Sequence, residues 1–131
     1  MSNKKVFLGG TCNNSTWRDE LIPKLNIDYF NPVVADWTPE CQDEEIKQRQ
    51  ECDICLYVIT PKMVGTYSIA EVADDSNKRP EKTVFYFQES DGTDTFSTVQ
   101  IKSLKQVGKL IQSNGATWCQ TYEELINKLN K

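Results

Sequence analysis

Six consecutive apolar residues near the middle of the chain, Ile54 to Ile59, place the strongest constraint on the fold. A strand with one wet face alternates apolar and polar residues, whereas an unbroken apolar run is typical of a parallel strand covered on both faces. Residues 83–87 form a second run of this kind. The chain is therefore expected to form a parallel sheet with helices packed on both sides.

Shorter apolar runs and helical patterns alternate along the rest of the sequence. Strands are predicted at residues 6–8, 29–34, 54–59, 83–87 and 116–119, and a helix is predicted after each of them. Pro32 confines the second strand to a sheet edge, because proline cannot donate a hydrogen bond to a neighbouring strand. Five such units predict one α/β domain over residues 1–131, with a five-stranded parallel sheet in the order 2-1-3-4-5 and helices on both faces. This is the flavodoxin-like, or Rossmann-like, architecture.

The helices are marked by apolar residues at helical spacing and by capping residues. Thr38 and Pro39 begin a polar second helix that runs to about Cys52, and Gly115 ends the fourth helix. The loop at residues 88–95 is a candidate mobile segment. The predicted apolar faces consist of Trp17, Leu21 and Leu25 in the first helix, Leu104, Val107, Leu110 and Ile111 in the fourth, and Tyr122, Leu125, Ile126 and Leu129 in the fifth.

The absence of histidine from the sequence removes several kinds of chemistry at once. Ser-His-Asp and Cys-His catalytic pairs and histidine-ligated zinc all require an imidazole. Catalysis must therefore use carboxylates, cysteine, lysine or tyrosine. The pair Cys52 and Cys55 ends a helix and enters a strand, so it is interpreted as buried apolar packing rather than as a redox or zinc site.

Charge and hydropathy narrow the range of partners. The net charge is −4 and the three arginines are far apart in the sequence, which disfavours nucleic acid because phosphates need clustered cations. No apolar segment has the length of a signal peptide or a membrane span, so we expect a cytoplasmic protein with no membrane partner. The five cysteines are then expected to be reduced thiols.

In a doubly wound sheet the ligand crevice lies beyond the carboxyl ends of strands 1 and 3, where the strand order reverses. Two glycines after the first strand allow a ligand to approach the backbone, although a plain tight turn explains them equally well. Trp37 and Tyr67 are candidate base-stacking rings or, alternatively, packing residues at the sheet edge. Lys62 is a candidate phosphate ligand. The predicted lining consists of Gly9, Gly10, Asn13, Asp36, Trp37, Lys62, Gly65, Tyr67 and Ser68.

Two glutamates are the candidate catalytic residues, and each has a plainer interpretation. Ser68 and Glu71 have the spacing of a helix capping box, which would make Glu71 a capping side chain. In the other interpretation Glu71 lies in the first turn of a helix beside the crevice, where the helix dipole keeps it ionised as a nucleophile. Glu45 is either one of several solvated charges on the polar second helix or an acid that this helix lays over the crevice.

Three segments of the sequence resemble the nucleoside 2-deoxyribosyltransferases and the related nucleotide N-glycosidases. The resemblance covers about residues 4–88, and the segments are Val6-Phe7-Leu8-Gly9-Gly10, the acidic helix leading to Cys52-Asp53, and the stretch from Thr60-Pro61 through Gly65 to Ser68-Ile69-Ala70-Glu71. The whole chain looks like the small deoxyribosyltransferase-like proteins of bacteria and phages, including Trp17-Arg18-Asp19-Glu20-Leu21, Asn31-Pro32-Val33-Val34 and Asp75-Ser76-Asn77-Lys78-Arg79-Pro80.

The resemblance implies a glycosyl-transfer mechanism. Glu71 falls at the family's nucleophile, which attacks C1′ of a nucleoside or nucleotide and leaves a glycosyl ester that a second base or water resolves. Glu45 falls where the family has an aspartate that protonates or orients the leaving base, and Gly9 and Gly10 would approach the sugar or a 5′ phosphate. This mechanism needs no metal or other cofactor. Related enzymes often complete each site with a neighbouring subunit, so a homo-oligomer is compatible with the sequence.

Three functions remain open on the sequence. The first is an enzyme that cleaves or transfers the N-glycosidic bond of a nucleoside or nucleotide, with a small molecule as its partner. The second is a non-catalytic domain that binds or senses a nucleotide in the same crevice. The third is a TIR-like module that cleaves NAD, which shares a parallel sheet and a crevice glutamate but has no further matching motif here.

Overall fold

The computed structural model of the protein describes residues 4–12 and 14–131. Strands and helices alternate along it as the apolar runs and helical spacings require. The strands are β1 (Lys5–Gly10), β2 (Asp28–Phe30), β3 (Ile54–Ile59), β4 (Thr83–Phe87), β5 (Ser90–Asp91), β6 (Asp94–Thr95) and β7 (Thr117–Trp118). The helices are α1 (Trp17–Leu21), α2 (Pro39–Glu51), α3 (Tyr67–Lys78), α4 (Thr98–Ser113) and α5 (Tyr122–Leu129), with short 3-10 helices at Ile22–Lys24 and Pro80–Lys82.

The main sheet is five-stranded and parallel throughout. Its order is β2-β1-β3-β4-β7, so the predicted order is confirmed, with β7 as the fifth strand of the sheet. The strand order reverses between β1 and β3, and Gly9 and Gly10 at the end of β1 lie opposite Tyr57 and Val58 of β3. The carboxyl ends of these two central strands therefore open at the same edge, where a ligand crevice is expected.

The second strand is shorter than predicted. It lies at the sheet edge as expected, but it covers only Asp28–Phe30 rather than residues 29–34. Pairing with β1 ends at Phe30, two residues before Pro32, whose nitrogen has no hydrogen to donate. The residues after Phe30 instead form a loop that leads over the sheet edge towards α2.

The loop at residues 88–95 contains a hairpin, which the sequence analysis did not predict. Strands β5 and β6 pair antiparallel to each other. Asp91 is buried and its Oδ2 accepts hydrogen bonds of 2.7 Å from the hydroxyls of both Ser15 and Thr60. These bonds attach the hairpin to the loops that follow β1 and β3.

Each face of the main sheet has its own apolar core, as the two unbroken runs predicted. Helices α1 and α5 cover one face, with the buried residues Val6, Leu8, Trp17, Leu21, Leu56, Val58, Val84, Tyr86, Cys119, Leu125 and Leu129. Helices α3 and α4 cover the other, with Phe7, Cys52, Cys55, Tyr57, Ile59, Val72, Phe85, Phe96, Leu104, Ile111 and Ala116. The interpretation of Cys52 and Cys55 as buried packing residues is confirmed.

Two residues of the predicted apolar faces lie elsewhere. Leu110 is 51% exposed, because its angular position on α4 lies well away from that of Leu104 and Ile111. Leu25 follows the 3-10 helix that continues α1, so it packs against the core from an extended residue rather than from a helix.

Helix α2 is attached to the rest of the structure by charge rather than by an apolar face. Of its thirteen residues, all of which the structure describes, only Arg49 is buried. Ile46, its main apolar residue, is 44% exposed. The guanidinium of Arg49 donates hydrogen bonds to Asp74 and Asp75 on α3. The orientation of α2 over the crevice therefore depends on this ion pair.

The backbone at the end of β1 requires glycine. Gly10 has a φ of +119°, and a Cβ at this position would collide with the backbone of Val58 in β3. We expect Gly10→Ala to lower the free energy of unfolding by about 2 kcal/mol or more, measured by urea denaturation. Gly65→Ala is the matched control, because a Cβ there meets nothing within 4 Å, and it should change stability by at most about 0.5 kcal/mol. Equal stabilities for the two variants would contradict this account of the β1 terminus.

Candidate active site

Two adjoining cavities lie at the carboxyl edge of the sheet. The larger, of about 350 Å³, opens beyond the end of β1 and is walled by the loops that follow β2 and β3. The smaller, of about 310 Å³, lies between α2 and α3. Four residues line both cavities, namely Trp37, Glu45, Tyr67 and Glu71. The two glutamates and two aromatic rings thus form the junction between the cavities.

Most of the predicted site residues are brought together here. The residues of the larger cavity that were predicted from the sequence are Gly9, Gly10, Trp37, Glu45, Gly65, Tyr67, Ser68 and Glu71. They come from β1, the loop after β2, α2, the loop after β3 and α3. Asn13 lies outside the described residues. The topology explains the grouping, because all of these segments meet where the strand order reverses.

Two predicted residues are not in the lining of either cavity. Asp36 is exposed in the loop before α2, where its carbonyl oxygen faces the thiol of Cys41 at 3.9 Å. The ammonium of Lys62 donates to Asp94 of the hairpin at 2.9 Å, and this bond raises the pKa of Lys62. The interpretation of Lys62 as a phosphate ligand is therefore not supported by its placement, because its charge is matched by Asp94 away from the crevice.

The capping-box interpretation of Glu71 is wrong. Helix α3 begins at Tyr67, so Ser68 is its second residue and Glu71 its fifth. The N-cap residue is Thr66, and its side chain makes no capping hydrogen bond. Glu71 therefore lies in the second turn of the helix, past the amide groups that a capping side chain would satisfy. Its side chain faces the cavities instead.

The environment of Glu71 is dominated by burial. The residue is only 8% exposed, and removal from water raises the pKa of its carboxyl group to about 7 although Arg49 opposes the rise. Glu45, Asp75 and Asp74 raise it further. The expectation that the helix dipole keeps this carboxyl fully ionised is corrected, because desolvation outweighs the favourable charges. Near neutral pH both protonation states of Glu71 are populated.

Glu45 lies over the crevice, which agrees with its interpretation as an acid at the site and not with that of a solvated charge on α2. It is half-buried, whereas Asp43 and Glu44 on the same helix are exposed. Partial burial raises the pKa of Glu45, against the opposing effects of the Trp37 indole and of the guanidinium groups of Arg49 and Arg18. A carboxyl group with a raised pKa keeps its proton to higher pH, which suits an acid that donates to a leaving group.

Two arginines at the site were not predicted. Arg18 on α1 is 5% exposed, and its guanidinium donates to the carbonyl oxygens of Leu8, Gly10 and Thr11 at 2.9, 3.3 and 2.7 Å. It therefore fixes the backbone at the carboxyl end of β1, and it also lines the larger cavity. Arg49 lines the smaller cavity. The signal that could have indicated Arg18 was its place beside Trp17 at the start of the helix that follows β1. Helix α2 is rich in charged residues, so its sequence gave no signal for Arg49.

The aromatic residues divide into core and site. Trp17 is 3% exposed, which confirms its predicted place in the core, and its indole donates to the carbonyl of Thr11 at 2.7 Å. Trp37 and Tyr67 are 58% and 63% exposed. The two rings are therefore mostly exposed rather than packed in a core, and both line the two cavities.

The described residues contain neither a metal-binding cluster nor a membrane-spanning helix. Within residues 4–12 and 14–131, no group of three or more cysteine and acidic side chains is arranged to hold a metal ion. None of the helices in the same ranges combines the length and apolar character that crossing a membrane requires.

The fold and the site together define a flavodoxin-like α/β protein with a pair of carboxyl groups in its switch-point crevice. The family model described as nucleoside 2-deoxyribosyltransferase like matches residues 3–90. The chain belongs to this family. No curated protein matches it. Every residue that lines either cavity lies within the matched segment, whereas α4, β7 and α5 lie beyond it.

The raised pKa of Glu71 determines how stability should change with pH. The folded state binds this proton more tightly than the unfolded chain, so stability falls as the pH rises from 4.5 to about 7 and the loss is complete above that window. Glu71→Gln removes the titrating group. We expect its free energy of unfolding in urea to exceed that of the wild type by on the order of 2 kcal/mol at pH 8 and by little at pH 4.5.

The exposed Glu44 provides the control for this experiment. Glu44→Gln removes a carboxylate from the neighbouring helix without changing the cavity lining. It should not reproduce the gain in stability that Glu71→Gln shows at pH 8, because its side chain is exposed and lines neither cavity. A Glu71→Gln advantage that does not change between pH 4.5 and pH 8 would contradict the burial of this charge.

Proposed function

We propose that the protein cleaves or transfers the N-glycosidic bond of a nucleoside or nucleotide through a covalent glycosyl ester on Glu71. The observation that carries the proposal is the placement of Glu45 and Glu71 on facing helices, where both line the two cavities. Membership of the nucleoside 2-deoxyribosyltransferase-like family supports a sugar-transfer reaction. Two carboxyl groups, one to attack and one to handle a proton, are what a retaining glycosyl transfer needs.

Glu71 is the nucleophile in this proposal. In its ionised form a carboxylate oxygen attacks C1′ of the bound sugar, the C1′–N bond breaks, and its electron pair goes to the base nitrogen. Among the described side chains none donates a hydrogen bond to Glu71, so its oxygen lone pairs are free to attack. The guanidinium of Arg49, 3.6 Å from Oε2, stabilises the ionised form.

Glu45 is the acid and base in this proposal. It donates its proton to the departing base as the first C1′–N bond breaks, and it is then ionised. In the second step water or another base attacks C1′, the ester C–O bond breaks, and its electron pair returns to Glu71. Glu45 takes up the proton that the attacking group loses, so both carboxyl groups return to their starting states.

The remaining lining residues suit a nucleoside. Gly9 and Gly10 line the larger cavity with their backbone, while their missing side chains leave room for Tyr57 and Val58 of β3. Trp37 and Tyr67 offer exposed rings, and stacking on one aromatic ring contributes about 1–3 kcal/mol to the binding of a base. Gly65 and Ser68 complete the wall beside Glu71. A cavity of about 350 Å³ is within the range that small-molecule sites occupy.

Release of free base tests the proposal. The protein is incubated with deoxynucleosides, ribonucleosides, their 5′-monophosphates and NAD, and free base is followed by chromatography. We expect at least one deoxynucleoside or nucleotide to be cleaved, with Glu71→Ala slower by about three orders of magnitude or more and Glu45→Gln slower by about two. Glu44→Ala, on an exposed residue of α2, should retain the wild-type rate, which separates loss of chemistry from loss of the helix.

Other outcomes of the same assay would overturn the proposal. Tight binding of a nucleotide without release, unchanged in Glu71→Ala, would identify a binding or sensing domain. Cleavage of NAD alone would identify a TIR-like activity. If Glu71→Ala still cleaves deoxynucleosides, the protein is an enzyme of this class but Glu71 is not its nucleophile.

A further inference from the structure

The guanidinium of Arg49 lies beside Glu71 without bonding to it. Its Nη1 is 3.6 Å from Glu71 Oε2, which is beyond hydrogen-bond range. Its Nε and Nη2 donate to Asp75 at 3.2 and 3.0 Å, and Nη2 also donates to Asp74 at 3.0 Å. The two-pronged contact with one carboxylate fixes the plane of the guanidinium. The position of this cation relative to Glu71 is therefore set by bonds in which Glu71 has no part.

Asp75 is the anchor of this arrangement. It is completely buried, and besides Arg49 it accepts hydrogen bonds from the Tyr57 hydroxyl of β3 and from Arg79 at the end of α3. Glu71 and Asp75 are four residues apart, so they share one face of α3. The bonds to Asp75 thus connect the sheet, α2 and α3 one helical turn after Glu71.

We propose that Arg49, held by Asp75, is a positioning residue that places a fixed positive charge beside the Glu71 carboxylate at the junction of the two cavities and so stabilises its ionised form. This proposal rests on the function proposed above. Arg49 also suits the change of charge during the reaction. When Glu71 forms its ester bond to C1′ and becomes neutral, Arg49 remains paired with Asp74 and Asp75, so no buried cation is left without a partner.

The charges that act on Glu71 make Arg49 decisive. On α2 they are Arg49 and Glu45, and on α3 they are Asp74 and Asp75. Arg49 is the cation among them, while Arg18, which lines the larger cavity from α1, directs its guanidinium to backbone carbonyls. Loss of the Arg49 charge would leave burial and three neighbouring carboxyl groups to oppose the ionisation of Glu71, so its pKa should rise above its present value of about 7.

Titration of Glu71 in arginine variants tests the proposal. The carboxyl of Glu71 is followed by NMR in protein labelled with 13C-glutamate, assigned with Glu71→Gln, and the pH dependence of kcat/KM for base release is recorded beside it. We expect Arg49→Gln to raise the midpoint of Glu71 by about one pH unit or more and to move the acidic limb of kcat/KM equally. Arg49→Lys keeps the positive charge but cannot form the two-pronged contact with Asp75. The titration midpoint of Glu71 in this variant should therefore lie between those in the wild type and in Arg49→Gln.

Arg79→Gln is the matched control. Arg79 also bonds to Asp75, but it has no contact with Glu71 in the described structure, so its removal should leave the Glu71 midpoint in place. An unchanged midpoint in Arg49→Gln, or an equal rise in Arg79→Gln, would overturn the proposal. If Arg49→Gln does not fold, Arg49→Lys decides: a raised midpoint supports the proposal and a wild-type midpoint overturns it.

The NMR titration does not require turnover, so the two proposals can fail separately. If the wild type releases no base but the Arg49→Gln midpoint rises, the proposed function fails while the control of Glu71 ionisation by Arg49 stands. If base is released and Arg49→Gln leaves both the midpoint and the acidic limb unchanged, the function stands and Arg49 only joins two helices.

Discussion

Asp75 is completely buried, and an ionised carboxylate inside a protein is stable only where cations and hydrogen-bond donors surround it. Arg49, Arg79 and the Tyr57 hydroxyl supply these partners from α2, α3 and β3. The contact also attaches α2, whose exposed and polar surface could not hold it against the sheet by apolar packing. Because α2 carries Glu45, the position of Glu45 over the crevice depends on this buried charge.

This constraint explains how a small protein without histidine holds two carboxyl groups of raised pKa in one crevice. Burial raises the pKa of both Glu45 and Glu71, and Arg49 limits the rise at Glu71. Carboxyl groups whose pKa is raised towards neutral pH can both bind and release a proton there, which nucleophilic and acid–base roles require. On the other side of the crevice, Arg18 stabilises the turn after β1 by bonds to backbone carbonyls. Each arginine is thus used to shape the site.

The sequence predicted those features that depend on local pattern. Unbroken apolar runs specify central parallel strands, Pro32 specifies an edge, and the resulting order brings Glu45 and Glu71 to the same crevice. Features that depend on distant partners were missed. Arg49 resembles any exposed charge of a polar helix until Asp75, 26 residues later, is packed against it. The place of Lys62 in the loop after β3 predicts a crevice residue, but its partner Asp94 lies in a hairpin that no apolar pattern in the sequence indicates.

The measurement that tests the account most directly is the location of a trapped sugar. Fluorine at C2′ of an arabinosyl nucleoside slows both steps, because it destabilises the positive charge that develops at C1′ in each. With no acceptor base added, only water can resolve the ester, so the ester should accumulate. After digestion, mass spectrometry should find the fluoroarabinosyl mass on the peptide that contains Glu71, and fragmentation should place it on that residue. Release of base from this analogue without any adduct, or an adduct on Glu45 instead, would contradict the account.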